Sequence, residues 1–171
     1  GGKRKAVAGP GTWTDNTGSR NKSGSTTDMR TNTAVVLGAF ETGLAVGRSL
    51  GRAGVRVICL DSSRKVGFYS RYMHASICPH PLDQEDEFIG FLLRIAEMEK
   101  EFPVLLITSD EFLLPVSRNR KVLERCYLMN LPRQDILECI ADKFKQYVLS
   151  SEAGIPVPKT FVAHNMDELY E

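Results

Sequence analysis

Residues 34–61 decide the fold, and their sequence is AVVLGAFETGLAVGRSLGRAGVRVICLD. The run 34–37 is continuously apolar and stops at Gly38, which is typical of a strand buried on both faces of a parallel sheet. Residues 55–60 repeat this pattern and stop at Asp61. The segment between them has apolar residues and glycines at helical spacing. These features predict a βαβ unit with a right-handed crossover.

Strands and helices go on alternating downstream of this unit. The predicted elements are a helix around Phe88–Ile95 behind an acidic start, a strand at 103–107, a helix from about 110 to 125, a short strand at 127–129, and helices that begin near Asp135 and Lys143. Such alternation is typical of an α/β fold, and it predicts a Rossmann-like, doubly wound parallel sheet. We expect any ligand at the carboxyl ends of the strands.

The charges of the chain are unevenly distributed. Residues 1–32 hold six Lys or Arg against two Asp, so the remaining residues hold 16 basic against 19 acidic side chains. A folded part with a net charge of minus 3 does not predict a nucleic-acid-binding face. The polar, glycine-rich composition of 1–32 predicts a disordered basic tail. No apolar run is long enough for a secretory signal or a membrane span, so we expect a cytoplasmic protein without membrane partners.

The four cysteines do not form a metal-binding pattern. They are Cys59, Cys78, Cys126 and Cys139, with no C-x-x-C pair and no histidine at zinc-ligand spacing. We expect free thiols and no metal site, with Cys59 buried in its apolar strand.

The loop after the first strand is the first candidate ligand site. It contains Gly38, Glu41, Thr42 and Gly43, and Thr42 is predicted to cap the following helix. Backbone N–H groups at the start of this helix could hold an anion, or the glycines could serve only the turn and close packing. The loop lacks the G-x-G core of a dinucleotide site, and no P-loop is present. Asp61 has about the position of a ribose-binding acid, but the residues favour the alternative role of a strand-end cap.

Two further loops carry polar residues that we place on the same edge of the sheet. One contains Ser70 and Arg71, after the second strand, and the other contains Ser109, Asp110 and Glu111, after the 103–107 strand. They are candidates for substrate contacts. Loop structure and helix capping are the alternative roles, with Ser109 or Asp110 as the N-cap.

A helix and its stop signal close the interpretable sequence. Asp142 and Lys143 begin the helix, Gly154 ends it, and Pro156 and Pro158 favour an extended segment after it.

In their order and spacing, these segments resemble the ATP-grasp superfamily, and in particular a group of predicted ATP-grasp enzymes similar to D-aspartate ligases. The resemblance divides the chain into the tail 1–32, a pre-ATP-grasp domain at 33–141 and an incomplete start of the ATP-grasp domain at 142–171. The segments that carry it are Val36–Gly38, Gly43–Leu44, Arg48–Gly54, Ser70–Tyr72, Thr108–Glu111, Asp142–Lys143 and Gly154–Pro158.

The resemblance implies a carboxylate–amine ligase. In that family ATP and a carboxylate react at Mg²⁺ to an acyl phosphate, which an amine then attacks, and the lysine that matches Lys143 binds ATP phosphate. The other catalytic residues of the family would follow Glu171, so the chain is expected to be a catalytically incomplete fragment. The alternative is a stand-alone Rossmann-like binding module or an NAD-binding, dehydrogenase-like domain. The sequence leaves the oligomeric state open, a homodimer included.

Overall fold

The computed structural model describes residues 32–159, without the side chains of residues 140 and 141. The predicted disordered tail, apart from Asn32, therefore lies outside the described residues. So does the last part of the predicted ATP-grasp start, residues 160–171.

The described residues form four strands and six α-helices. In chain order they are β1 (Ala34–Leu37), α1 (Glu41–Arg52), β2 (Val57–Asp61), a 3₁₀ turn (Val66–Tyr69), β3 (His74–Ile77), α2 (Glu85–Met98), β4 (Val104–Ile107), α3 (Asp110–Arg118), α4 (Arg120–Leu123), α5 (Gln134–Ala141) and α6 (Lys143–Glu152).

The four strands form one parallel sheet in the order β3-β2-β1-β4. β1 is an inner strand of this sheet, and all four of its residues are buried, because strands flank it on both sides and helices cover both faces of the sheet. Its alternate residues enter different cores: Val35 and Leu37 pack with α2 and α3, whereas Ala34 and Val36 pack with α1. The predicted α/β fold with helices on both faces of a parallel sheet is thus confirmed.

Three details differ from the sequence prediction. The sequence did not predict β3, which is an edge strand without a continuous apolar run. The predicted strand at 127–129 is reduced to one parallel bridge between Leu128 and Val104. The predicted long helix after β4 is two helices, α3 and α4, which meet at Asn119.

The predicted burial of Cys59 is confirmed. All four thiols are free, and Cys59 and Cys78 are buried. Within residues 32–159, no three His, Cys, Asp or Glu side chains come together in an arrangement that could hold a metal ion. In the same part of the chain, no helix combines the length and the apolar character that crossing a bilayer demands.

Candidate functional site

The β1–α1 loop is a tight backbone turn at the carboxyl edge of the sheet. Gly38 has a φ of +98°, and its N–H donates to the carbonyl of Leu60 at 2.8 Å. The carbonyl of Ala39 accepts from the N–H of Gly67 at 2.7 Å. The next side chain, Phe40, is 59% exposed. Main-chain bonds therefore hold the loop against β2 and the 3₁₀ turn, while its tip faces solvent.

Asp61 ties this loop to the end of β2. The carboxylate is 2% exposed, and its Oδ2 accepts from the N–H of Ala39 at 2.8 Å. Its Oδ1 accepts from the N–H of Ser63 at 3.1 Å. Both oxygens are thus engaged by backbone donors, which is the strand-end role that the sequence left as an alternative. This geometry does not favour Asp61 as a ribose-binding acid.

α1 begins two residues earlier than predicted, and Thr42 does not cap it. The N-cap residue is Phe40, and no side chain makes a capping hydrogen bond. Thr42 is exposed in the first turn, next to Glu41. The predicted cap is wrong because the chain enters the helix immediately after the turn at Gly38. The first N–H groups of α1 are consequently left without a side-chain acceptor, at the positive end of the helix dipole.

Gly43 has a packing role. A Cβ at this position would lie 1.8 Å from the carbonyl oxygen of Gly38, so α1 approaches the turn more closely than any side chain permits. The close-packing alternative stated for the loop glycines thus accounts for Gly43, and the turn accounts for Gly38.

The β4–α3 loop lies against the same turn. The hydroxyl of Thr108 donates to the carbonyl of Leu37 at 2.8 Å, and a Cβ at Gly38 would lie 2.9 Å from the Cβ of Ser109. Ser109 is the N-cap residue of α3, but its side chain makes no capping hydrogen bond; its hydroxyl is 3.5 Å from Oε1 of Glu111. The starts of α1 and α3 therefore converge beside Gly38.

Thr108 bridges β1 and β4, but it is not among the site residues predicted from the sequence. Its role could have been predicted from its position directly after an apolar strand, where the hydroxyl of a threonine can donate to the end of the neighbouring strand.

Arg71 does not lie at this edge, contrary to the prediction. Its guanidinium donates to the hydroxyl of Tyr72 at 2.8 Å and lies 4.9 Å from the centre of that ring. Arg52, the last residue of α1, lies over the same ring at 5.5 Å. These contacts place Arg71 beside the end of α1 that is remote from the Gly38 turn. The physical reason is that β3 is parallel to β2, so the chain must return to the amino edge before β3 starts.

Ser70 has a structural role in the segment that leads from β2 back to the start of β3. It directly follows the 3₁₀ turn and is buried, and its hydroxyl accepts from the N–H of Tyr72 at 3.3 Å. The hydrogen bond from Arg71, followed by that from Arg52, lowers the pKa of Tyr72. The two arginines thus contact the ring and hydroxyl of Tyr72 beside the end of α1 and are not part of the carboxyl edge.

Lys143 is the first residue of α6 and is exposed. The carboxylate of Asp142 caps this helix, because its Oδ1 accepts from the N–H of Phe144 at 2.9 Å and of Lys145 at 3.2 Å. Gly154, with a φ of +74°, follows the last turn. The predicted start and stop of this helix are confirmed. α6 packs on α5, which packs on α3, so Lys143 lies outside the Gly38 turn and its contacts.

The candidate site is therefore the carboxyl edge formed by the Gly38 turn, Asp61 and the start of α3. Two uncapped helix starts meet there, which favours an anionic group. The acidic residues Glu41, Asp110 and Glu111 lie in the first turns of the same helices. The ligand contacts of all these residues stay predictions.

This fold matches the amino-terminal portions of ATP-grasp enzymes. The chain is similar to the glycinamide-RNase-transformylase T from Mycobacterium tuberculosis, with 17% identity and a TM-score of 0.60 over 81% of this chain and 37% of that chain. It is also similar to the N5-carboxyaminoimidazole ribonucleotide synthetase from Thermotoga maritima, with 17% identity and a TM-score of 0.56 over 80% of this chain and 34% of that one.

A third similar structure is the L-amino acid ligase from Bacillus licheniformis, with 13% identity and a TM-score of 0.54 over 75% of this chain and 32% of that chain. The chain spans about a third of the length of these proteins. No protein-family model and no curated protein sequence matches the chain. At identities of 13–17%, these similarities establish the fold of this chain alone.

Proposed function

We propose that this chain is the amino-terminal part of an ATP-dependent ligase that joins a carboxylate to an amine. The observation that carries the proposal is the fold, which matches the amino-terminal third of several ATP-grasp enzymes over about three quarters of the chain or more. Because that third is only part of such an enzyme, we propose that the 171 residues alone do not complete the reaction.

In this proposal the carboxyl edge of the sheet binds the carboxylate substrate. The starts of α1 and α3 supply backbone N–H groups and positive dipole ends, and neither start is capped by a side chain. Gly38 itself is buried against Thr108 and Ser109, so the exposed part of this edge is the first turn of α1, beginning at Phe40. The amine would face the acidic first-turn residues Glu41, Asp110 and Glu111, which suit an ammonium group.

Lys143 is proposed to bind the phosphates of ATP. The residue fits this role because its ammonium group is exposed and can attract an anion, although the carboxylate of Asp142 already occupies two N–H groups at this helix start. ATP supplies the phosphoryl group that activates the carboxylate as an acyl phosphate. A cation at the phosphates stabilises the charge that develops during this transfer.

Within residues 32–159, no three His, Cys, Asp or Glu side chains come together in an arrangement that could hold a metal ion. Mg²⁺ that accompanies ATP is usually held by one or two carboxylates and the phosphates, and in this proposal those carboxylates come from residues outside this range. A homodimer, a cytoplasmic location and the lack of nucleic-acid and membrane partners stay predictions of the sequence.

An ADP-release assay on the complete protein that contains this chain tests the proposal. Hydroxylamine serves as the amine, and each standard amino acid is offered in turn as the carboxylate. We expect ADP release that needs both substrates, and a loss of about 100-fold in kcat/KM for Lys143→Met. The matched control is Lys121→Met, an exposed lysine on α4. ADP release that is equal in both variants would contradict the role of Lys143, and tight NAD binding without ADP release would contradict the ligase.

A further inference from the structure

Two arginines and a tyrosine form a basic cluster beside the amino edge of the sheet. The guanidinium of Arg71 donates from Nη2 to the hydroxyl of Tyr72 at 2.8 Å and lies 4.9 Å from the centre of the ring. The guanidinium of Arg52 lies 5.5 Å from the same centre. Both arginines are exposed, so the cluster is open to solvent. Glu41 begins α1 and Arg52 ends it, which places the cluster about 16 Å along the helix from the candidate substrate site.

The packing of the backbone brings these side chains together. A Cβ at Gly51 would lie 2.3 Å from the carbonyl oxygen of Tyr72, so the last turn of α1 lies directly against the backbone of Tyr72. The N–H of Tyr72 in turn donates to the hydroxyl of Ser70 at 3.3 Å. Arg52 is the residue after Gly51, and the close approach at Gly51 therefore delivers its guanidinium to the ring.

The positive charge of the cluster is not balanced by a carboxylate in the part of the chain that the structure describes. The carboxylates that form ion pairs within residues 32–159 do so with other basic residues, and neither Arg52 nor Arg71 has such a partner there. Arg48, which is also exposed, lies one turn before Arg52 on α1 and adds a third positive charge. An anion beside the two guanidinium groups would relieve their mutual repulsion.

The carboxyl end of α1 does little to offset this charge. The carbonyls of Ser49, Leu50 and Gly51 accept the N–H groups of the three residues that follow the helix. The negative end of a helix dipole resides on carbonyls that lack such donors. These bonds therefore reduce the repulsion that an anion would meet at this helix end.

The cluster keeps donors for a ligand. A guanidinium has five N–H donors, and Arg71 gives one of them to the hydroxyl of Tyr72. The hydroxyl accepts this bond and retains its own proton to donate. Guanidinium groups bind phosphate oxygens through paired, charge-assisted hydrogen bonds.

We propose that Arg52, Arg71 and Tyr72 bind a phosphate dianion, either free or as the monoester group of a small molecule. The two guanidinium groups match the two negative charges, and the hydroxyl of Tyr72 donates to a further phosphate oxygen. The proposal does not rest on the ligase function, since it uses only side chains at the far end of α1.

Titration of the 171-residue chain with sodium phosphate tests this site, with the arginine ¹³Cζ signals followed by NMR. Sodium chloride keeps the ionic strength constant, and the pH is about 8, where phosphate is largely a dianion. We expect the signals of Arg52 and Arg71 to shift together and to saturate with a Kd of about 1 mM. Arg94 is the internal control, because its guanidinium lies 5.6 Å from the centre of the Phe91 ring, which carries no hydroxyl.

Substitutions give a second readout of the same site. Arg52→Gln and Arg71→Gln should each weaken phosphate binding about tenfold, because each removes a charge and a pair of donors. Tyr72→Phe should weaken it about fivefold, because it keeps the ring and removes one donor. Arg94→Gln should leave the Kd unchanged. Circular dichroism shows whether each variant keeps the fold.

Three results would overturn the proposal. They are shifts of Arg52 and Arg71 that stay linear up to about ten times the expected Kd, equal shifts at Arg94, and an unchanged Kd in any of the three variants of the cluster. Methyl phosphate in a parallel titration distinguishes the two sources of the group. Weaker binding of methyl phosphate than of phosphate assigns the site to free phosphate, and equal or tighter binding assigns it to a monoester. No ATP is present, so these outcomes are independent of the ADP-release assay.

Discussion

The contact between α1 and the Gly38 turn can be tested with two glycine-to-alanine substitutions. A Cβ at Gly43 would lie 1.8 Å from the carbonyl oxygen of Gly38 and 2.8 Å from its carbonyl carbon. Ordinary C···O contacts are about 3.3 Å or longer, so α1 would have to move by more than about 1 Å. The obstacle is backbone, which no side-chain rotation can relieve. At Gly90 in α2, by contrast, the nearest atom is Nη1 of the flexible Arg94, at 3.6 Å.

We expect Gly43→Ala to destabilise the fold. Overpacking costs about 1–3 kcal/mol, and the depth of this clash places it near the upper value. The helix propensity of alanine returns at most about 1 kcal/mol, so the net loss is about 2 kcal/mol. Gly90→Ala gains propensity without a clash and should be about 0.5–1 kcal/mol more stable than the unmodified chain.

Urea unfolding followed by circular dichroism measures both free energies of unfolding. The expected separation between the variants is about 3 kcal/mol, with similar m-values. If Gly43→Ala were as stable as Gly90→Ala, the close approach of α1 to the turn would be wrong.

Three further predictions concern buried and paired groups. Asp61→Ala should lower the free energy of unfolding, measured in urea, by about 1–3 kcal/mol, because the buried N–H of Ala39 loses its acceptor. An unchanged free energy of unfolding would contradict the role of Asp61 in holding the loop. Burial, followed by the charge of Asp61, raises the pKa of Cys59 to about 12, and burial is also the main cause of the raised pKa of Cys78. Iodoacetamide at pH 8 should therefore modify neither of these two thiols before unfolding. Rapid labelling of Cys59 or Cys78 in the native protein would refute this prediction. The hydrogen bond from Arg118 lowers the pKa of Glu85 below its ordinary 4.5, so their pairing stabilises the fold above that pH and is lost as the pH falls. In Glu85→Gln, the free energy of unfolding should therefore fall less steeply below pH 4.5 than in the unmodified chain. An equally steep fall in both proteins would contradict the pairing.

The central part of the fold follows from the sequence because β1 and β2 are buried on both faces. Continuous apolar runs mark β1, β2 and β4, and the acidic start with a helical repeat marks α2. The turn at Gly38 and the cap at Asp142 also carry local signals, a glycine directly after a strand and a short acidic side chain before a helix.

The missed strand explains the error at Arg71. β3 lies at the sheet edge and consists of His74, Ala75, Ser76 and Ile77, whose two end residues are exposed. Such a segment has no apolar run to reveal it. Without β3, the residues after β2 look like a loop at the carboxyl edge, although they actually cross to the other end of the sheet.

Transfer of ¹⁸O from a labelled carboxylate substrate to inorganic phosphate tests the ligase proposal most directly. The complete protein that contains this chain is incubated with ATP, hydroxylamine and the ¹⁸O-labelled carboxylate that supports ADP release. If the carboxylate is activated as an acyl phosphate, one labelled oxygen leaves with phosphate, and mass spectrometry detects it there. Unlabelled phosphate, with the label instead in AMP, would contradict the proposed reaction.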